Sequence, residues 1–263
     1  MEVTVVKVVA IANAKGGVGK TTTAVNMAAG LAVLGKKTLF IDLDYQANGT
    51  FAFLDYVPQK TVANVLLDNI DIHEVIQKTG NEFLSILPSS LDLTSADTEL
   101  SAQPGRDTAL SVALRSLDKE SWDYIVVDLP PNAGVMVLNG LTAADYVIIP
   151  VQTEFYAVKG VDIIIQLMEL TKKRLNEKLC LLGALATMYD QRNNICKETI
   201  AYMHSFFGSA MFDTYIRTNI ALAEAPAQNK NIFEYAPKSN GAEDYLAFCQ
   251  EFLMREREMC QNG

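Results

Sequence analysis

The fold of this chain is limited first by short, almost wholly apolar runs that alternate with segments of helical character. Runs of this kind are typical of strands that are buried on both faces. Such strands, separated by helices, predict a doubly wound, mostly parallel α/β sheet with helices on both faces. The runs that we interpret as strands are Val5–Ile11, Thr38–Ile41, Phe83–Leu87, Tyr124–Val127, Tyr146–Val151 and Leu181–Thr187.

Four segments between and after these strands have helical character. The first ends at Gly35, which is the common residue just past a helix C-terminus. The predicted helices span about Thr21–Leu34, Asp107–Leu117, Val158–Leu175 and Gly241–Arg257. Because the sequence has no internal repeat and no long linker, we expect residues 1–263 to form a single domain.

The composition excludes several classes of protein. A hydrophobic fraction of 49% and a charged fraction of 20% are those of a globular chain and exclude a disordered one. A net charge of −9 disfavours a protein that coats DNA over its whole surface, but it leaves room for a local basic patch. The four cysteines are scattered, and no apolar run approaches the roughly 18 residues of a membrane span, so we expect a soluble, cytoplasmic protein.

A glycine-rich loop, Ala14–Thr22, follows the first predicted strand and opens the first predicted helix. Its glycines let backbone N–H groups turn toward a bound anion, and the helix N-terminus adds its positive end. In this context Lys20 is expected to reach the β- and γ-phosphates of a nucleotide, and Thr21 to place its hydroxyl on Mg²⁺. The predicted nucleotide-binding residues of the loop are Lys15, Gly16, Gly17, Val18, Gly19, Lys20, Thr21 and Thr22.

Two other predicted strands end in carboxylates. Asp128 ends an apolar strand, as the acid of a Walker B segment does, and we expect it to hold Mg²⁺ through water together with Thr21. Asp42, at the end of the second strand, is interpreted as either a structural carboxylate or one on the magnesium side. The carboxyl ends of parallel strands meet at one edge of a sheet, so these acids are expected near the glycine-rich loop.

Three segments resemble the ParA/MinD group of P-loop ATPases. The loop has Ala14 at the position of the ordinary first glycine and carries an early second lysine, Lys15, which resembles the deviant Walker A motif of that group. The segment 42–48 is similar to the family switch sequence Asp-x-Asp-Pro-Gln-Gly-Asn, and 128–131 matches the family's Asp-x-Pro-Pro. The resemblance therefore implies a P-loop ATPase fold that uses ATP and Mg²⁺.

The resemblance also implies roles for individual residues. In that group the early lysine, here Lys15, crosses a dimer interface to the partner's nucleotide, which makes ATP binding and homodimerisation one event. Asp44 matches the acid that positions the attacking water, so the implied catalytic residues are Lys15, Lys20 and Asp44. Tyr45 and Ala47 stand where the family usually has Pro and Gly, and we therefore expect this loop to differ in mobility.

The resemblance extends over nearly the whole chain. Residues 216–226 are similar to the family segment Ile-Pro-Arg-Asn-Val-Arg-Leu-Ser-Glu-Ala-Pro, in which Asn219 keeps the position that contacts adenine. Arg217 replaces the family proline, and Ala221 replaces an arginine that is implicated in DNA binding in chromosomal relatives. The expected candidates for DNA contact in this chain are Arg192, Lys197, Arg217 and Lys230.

The function implied by the resemblance is that of a ParA/Soj-type partition ATPase. Its ATP-bound dimer would bind double-stranded DNA without sequence preference and so associate with the nucleoid. A ParB-like partner would stimulate slow hydrolysis and release the subunits, and the cycle would segregate a plasmid or a chromosome.

The same catalytic core is compatible with other functions. The main alternative is an ATP-gated positioning or regulatory ATPase for a protein cargo, such as a chemoreceptor cluster or a microcompartment, which Ala221 and the low pI favour. Membrane recruitment of the MinD type is not expected, because the acids of residues 252–259 cancel the arginines. A related amide-forming synthetase would need an added substrate domain, for which this length leaves little room.

Overall fold

A computed structural model of the chain describes residues 6–118, 120–154 and 160–262. Eight strands of these ranges form a sheet in the order β3-β4-β2-β5-β1-β6-β7-β8. The pair β3–β4 is antiparallel and the other neighbouring pairs are parallel. The strands are β1 Lys7–Ile11, β2 Thr38–Asp42, β3 Gln77–Lys78, β4 Leu84–Leu87, β5 Tyr124–Asp128, β6 Tyr146–Gln152, β7 Cys180–Tyr189 and β8 Met211–Arg217.

The helices connect these strands and cover the sheet. They are α1 Lys20–Val33, α2 Asn48–Phe51, α3 Val62–Leu67, α4 Ile72–Val75, α5 Leu93–Ser101, α6 Ala109–Leu114, α7 Val135–Ala143, α8 Val161–Arg174, α9 Asn194–Phe207, α10 Ile220–Glu224, α11 Ile232–Tyr235 and α12 Asn240–Asn262. Short 3₁₀ turns span Gly208–Ala210 and Ala225–Gln228. Among the helices of the described ranges, none combines the length and the apolar character that crossing a bilayer requires.

The core has two parts, one on each face of the sheet. Alternate side chains of β1 belong to different parts of the core, because successive residues of a strand point to opposite faces. Ala10 lies in the cluster that includes Leu141 of α7, whereas Ile11 lies in the cluster that includes Met27 of α1 and Phe248 of α12. The prediction of a doubly wound α/β sheet with helices on both faces is thus confirmed.

Several predicted boundaries differ from those of the structure. The strand predicted at Leu181–Thr187 extends over Cys180–Tyr189, and the helix predicted at Asp107–Leu117 comprises only Ala109–Leu114. Val5 and Val158, the predicted first residues of a strand and of a helix, lie outside the described residues. The sequence analysis also missed α9 and β8, and β8 lacks a continuous apolar run because it is one of the two edge strands of the described sheet.

The edge strand β8 is held by charged side chains of α12. The Glu251 carboxylate accepts the backbone N–H groups of Asp213 and Thr214, each at 2.8 Å. Arg255 pairs with Glu251 and donates to the Met211 carbonyl at 2.6 Å. Backbone groups on the edge of a sheet otherwise stay open to pairing with another chain. The last helix therefore covers this edge with hydrogen bonds as well as with apolar packing.

Candidate nucleotide site

The glycine-rich loop runs from β1 to α1 and has a fixed backbone. Gly17 and Gly19 have φ angles of 77° and 85°, in the left-handed region that glycine adopts without a steric penalty. The Thr187 hydroxyl, on β7, donates to the Val18 carbonyl at 2.8 Å. This conformation turns the loop around the N-terminus of α1, where backbone N–H groups favour an anion.

A buried asparagine anchors the start of the same loop. Asn13 donates its amide to the Pro150 carbonyl of β6 at 2.8 Å, and its oxygen accepts the Lys15 backbone N–H at 2.9 Å. Asn13 is 1% exposed. The loop is therefore attached to neighbouring strands through Asn13 and Thr187, two residues to which the sequence analysis gave no role. The only sequence signal for Asn13 is its position two residues past the buried strand β1.

The Lys20 side chain is buried at the first residue of α1. Its ammonium group donates to the Lys15 carbonyl at 3.0 Å. Burial lowers the pKa of Lys20, while the Asp128 and Asp44 carboxylates act in the opposite direction. The structure thus brings the predicted phosphate-binding lysine close to two of the three carboxylates that the sequence analysis singled out, Asp44 and Asp128.

Asp128 is a buried carboxylate without a hydrogen-bond partner in the described part of the chain. It is fully buried, and neither of its oxygens is bonded there. Burial raises its pKa well above the usual value, and the Asp42 carboxylate, its register partner on β2, raises it further, while the nearby Thr21 hydroxyl and Lys20 ammonium group oppose the shift. Burying a carboxylate away from water without a hydrogen-bond partner costs folding free energy, unless a bound cation balances its charge. Its chemistry fits a magnesium ion beside the phosphates.

Asp42 has a different environment although it is equally buried. Its Oδ1 accepts the backbone N–H of Asp44 at 3.0 Å, and its Oδ2 accepts the Thr50 backbone N–H at 2.7 Å and hydroxyl at 2.8 Å. Burial raises the pKa of Asp42 to about 7, although these hydrogen bonds oppose the shift. Of the two roles left open by the sequence, these contacts favour the structural one.

Asp44 lies at the start of a tight turn after β2. It is 7% exposed, and its Oδ1 accepts the Gln46 backbone N–H at 3.0 Å. Its carbonyl accepts the N–H of Ala47, which has a φ of 55°. Alanine in the left-handed region carries a strain of ~1–2 kcal/mol that glycine avoids. The turn therefore keeps the conformation for which glycine is suited, although Ala47 occupies it.

Lys15 forms an ion pair with Glu154, which follows β6. The side chains of Lys15 and Glu154 are 32% and 44% exposed, so the pair lies at the surface of the site. The sequence analysis did not single out Glu154. The only sequence signal for Glu154 is its position just past the end of a buried strand. The ion pair joins residues that are 139 positions apart in the sequence.

The predicted adenine contact lies at the N-terminus of α10. The side-chain oxygen of Asn219 accepts the Ala221 N–H at 2.8 Å, which caps the helix. A cavity of about 320 Å³ lies between α1 and α10, and its lining residues include Thr21, Thr22, Leu222 and Lys230. The structure therefore places Lys230 beside the N-terminus of α1.

The comparisons with known proteins agree with this geometry. Residues 6–181 match the protein family described as AAA domain. The sporulation initiation inhibitor protein Soj of Bacillus subtilis is 39% identical over 247 residues, which cover 93% of this chain and 97% of Soj. The chromosome partitioning protein ParA of Myxococcus xanthus is 40% identical over 256 residues, which cover 96% of this chain and 90% of ParA. The chain belongs to the Soj/ParA family of P-loop ATPases.

A solved structure extends this similarity. Cobyrinic acid a,c-diamide synthase from Mycobacterium smegmatis, with a bound ATP analogue and magnesium, has a TM-score of 0.84 and 33% identity. The alignment covers 96% of each of the two chains. The expectation that a related synthetase needs a longer chain is wrong for that protein. Membership of the Soj/ParA family therefore rests on sequence similarity and motifs, and length contributes nothing to it.

The predicted DNA contacts of this Soj/ParA chain are distributed over two places. Arg192 follows β7, Lys197 lies exposed on α9, and Arg217 ends β8, where its register partner is Tyr189 of β7. These three residues belong to consecutive elements at one end of the β7–β8 pair. Lys230, described above, lines the cavity beside α1 instead.

Both arginines of this group are paired with carboxylates. Arg192 donates from Nε and Nη2 to Asp190 at 3.0 and 2.9 Å. This contact lowers the pKa of Asp190 to about 2. Arg217 donates to Asp244 at 2.7–3.0 Å, and Asp244 is buried whereas Asp190 is more open. Arg217 is thus tied to α12, and Arg192 is the more available of the two.

Proposed function

We propose that this ATPase works as a ParA-type partition protein in which ATP gates dimerisation and DNA binding. The observation that carries the proposal is the convergence of Lys15, Lys20, Asp44 and Asp128 on one glycine-rich loop. The Soj and ParA relatives support the partition role, and they do not favour the alternative of a positioning ATPase for a protein cargo. We expect a cytoplasmic protein that is bound to the nucleoid in its ATP form.

ATP and Mg²⁺ are the cofactors that the site fits. The loop amides and Lys20 would hold the phosphates, while Thr21 and the unpaired Asp128 would hold the magnesium ion. Bound there, magnesium supplies positive charge that neutralises the phosphate oxygens. We assign Asp42 to positioning, because donors from the protein already occupy both of its oxygens.

Asp44 would orient the water that attacks the γ-phosphate. A carboxylate suits this role because the water needs orientation more than deprotonation. Two hydrogen bonds fix the turn that holds Asp44: the Asp44 N–H donates to Asp42, and the Ala47 N–H donates to the Asp44 carbonyl. Slow turnover without a partner is expected, because a complete transition-state environment depends on groups that close over the site.

Lys15 would connect nucleotide binding with dimerisation. To reach the nucleotide of a second subunit, its ammonium group must leave Glu154 of its own chain. An ion pair at this degree of exposure contributes only ~0–1 kcal/mol, so the exchange costs little. The ATP-bound homodimer would then present two copies of the Arg192 and Lys197 surface to DNA, and a ParB-like protein would trigger release.

The gating step can be tested by the mass of the particle in solution. We expect Asp44→Ala to bind MgATP without hydrolysing it and to elute as a stable dimer in size-exclusion chromatography with light scattering. Adding Lys15→Ala to that variant is expected to return it to the monomer, because the charge that crosses the interface is lost.

Lys37→Ala is the matched control. Lys37 is an exposed lysine next to the first residue of β2, at the opposite end of that strand from the site. In the Asp44→Ala background it should leave the dimer intact. A monomer in MgATP for Asp44→Ala alone, or equal behaviour of the two lysine variants, would contradict the proposal.

A further inference from the structure

Thr50 is a fully buried polar residue on α2 to which no role has yet been given. Its hydroxyl donates to Asp42 Oδ2 at 2.8 Å and accepts the Ser89 backbone N–H at 2.8 Å. Its own backbone N–H donates to the same Asp42 oxygen at 2.7 Å. Thr50 is 0% exposed, so water does not compete for these bonds. The hydroxyl is therefore used as donor and as acceptor at once.

The second oxygen of Asp42 connects this contact to the predicted catalytic acid. Asp42 Oδ1 accepts the backbone N–H of Asp44 at 3.0 Å. A continuous chain of hydrogen bonds thus runs from Ser89, after β4, through Thr50 and Asp42 to the backbone of Asp44. Buried hydrogen-bond networks hold their parts in one arrangement. In this network the Thr50 hydroxyl and both Asp42 oxygens have partners, whereas the buried Ser89 hydroxyl has none among the described residues.

The packing of α2 against β2 requires close approach at Gly49. A Cβ atom there would lie 2.6 Å from the Phe40 ring and 3.1 Å from Asp42 Oδ2. The absence of a side chain at this position lets the first turn of α2 lie directly over Asp42. Thr50 is placed by this packing, so its hydroxyl direction is set by the fold before any nucleotide binds.

We propose that Thr50 is a positioning residue for ATP hydrolysis, acting through Asp42 on the orientation of Asp44. The inference rests on the proposed ATPase role of Asp44. Thr50 contacts neither the glycine-rich loop nor Lys20 in the hydrogen bonds above, so we expect its effect on turnover to exceed its effect on nucleotide binding. A small displacement of a catalytic group lowers the reaction rate strongly, because the reaction depends on the alignment of the attacking atom.

The test compares variants that remove or keep the hydroxyl. Thr50→Val removes it at nearly constant shape, and Thr50→Ser keeps it. We expect Thr50→Val to lower kcat for MgATP ~10-fold, with the Kd of a fluorescent ATP analogue changed less than ~3-fold. Thr50→Ser is expected to restore at least about half of the wild-type kcat, because the hydrogen bonds to Asp42 and Ser89 are kept.

Thr38→Val is the matched control for stability. Thr38 is also fully buried and its hydroxyl also makes a hydrogen bond, to the Lys36 carbonyl at 3.0 Å, but it lies at the opposite end of β2. We expect it to lose stability to urea as Thr50→Val does and to keep its kcat. If valine does not fit at position 50, Thr50→Ala makes the same comparison.

The outcomes separate the inference from the proposed function. Wild-type protein that hydrolyses MgATP, with unchanged kcat in the folded Thr50 variants, would overturn the positioning role alone. A fall in kcat that Thr38→Val shares, or that serine does not restore, would also overturn it. Wild-type protein that binds MgATP without any turnover would overturn the proposed ATPase cycle, and the positioning role with it.

Discussion

Arg192, a predicted DNA contact, is held in a single exposed ion pair. The Arg192 side chain is 86% exposed, yet two of its nitrogens donate to Asp190. Exposed pairs contribute little to stability, so a phosphate could replace the carboxylate at small cost. Arg217 differs, because its partner Asp244 is buried and links β8 to α12. Of the two arginines, Arg192 is therefore the one that we expect to contact DNA.

Removal of the competing carboxylate should strengthen DNA binding. We expect Asp190→Asn to raise the affinity of the ATP-bound dimer for duplex DNA ~2–10-fold, because Arg192 is freed and a negative charge is lost. Fluorescence anisotropy with a labelled random-sequence duplex measures this change. Asp55→Asn removes one exposed negative charge elsewhere and serves as the control. An equal gain in both variants would show that net charge alone is responsible.

At the scale of elements, the strands that are buried on both faces could be predicted, whereas the edge strands β3 and β8 could not. Runs such as Tyr124–Val127 and Tyr146–Val151 are apolar because both of their faces are buried, so a sequence reader sees them directly. The edge strand β8 has Asp213 and Arg217 exposed and offers no such run. Its backbone is held by Glu251, which accepts the Asp213 N–H and lies 38 residues away in the sequence.

Glu251 supplies a test of that account of β8. We expect Glu251→Gln to lower the free energy of unfolding by about 2–3 kcal/mol, because a buried acceptor of two backbone N–H groups loses its charge and its pairing with Arg255. Urea unfolding followed by circular dichroism measures the change. Glu258→Gln, at an exposed position of the same helix, should stay within about 0.5 kcal/mol of the wild type. Equal losses at both positions would contradict the account.

At the scale of the whole molecule, the site forms because loops from β1, β2, β5, β6 and β7 meet at one end of the sheet. Asp44 and Asp128 could be singled out from the sequence because they lie at or just past strand ends, and parallel strands bring their carboxyl ends together. Lys20 could be singled out because it lies near the end of the glycine-rich loop that follows β1. The pairing of Lys15 with Glu154 could not, because it depends on tertiary contact between distant segments.

The same limit applies to the predicted DNA surface. The sequence identifies four basic residues as candidates for DNA contact. It does not show that the two arginines form ion pairs with Asp190 and Asp244, or that Lys230 lies beside the N-terminus of α1. Pairing of surface charges is decided by the folded arrangement of side chains from separate elements. Under the proposed function, DNA binding by this acidic protein would therefore depend on a small local surface that is present twice in the ATP-bound dimer.

The most direct test of ATP-gated DNA binding uses Asp44→Ala protein on random-sequence duplex DNA. The protein is titrated with MgATP, with MgADP and without nucleotide, over a series of salt concentrations. The account predicts binding with MgATP only, without sequence preference, and with an affinity that falls steeply as salt rises because phosphate contacts release counterions. A dimer that forms in MgATP and leaves the duplex unbound, or binding that is equal in all three nucleotide states, would contradict it.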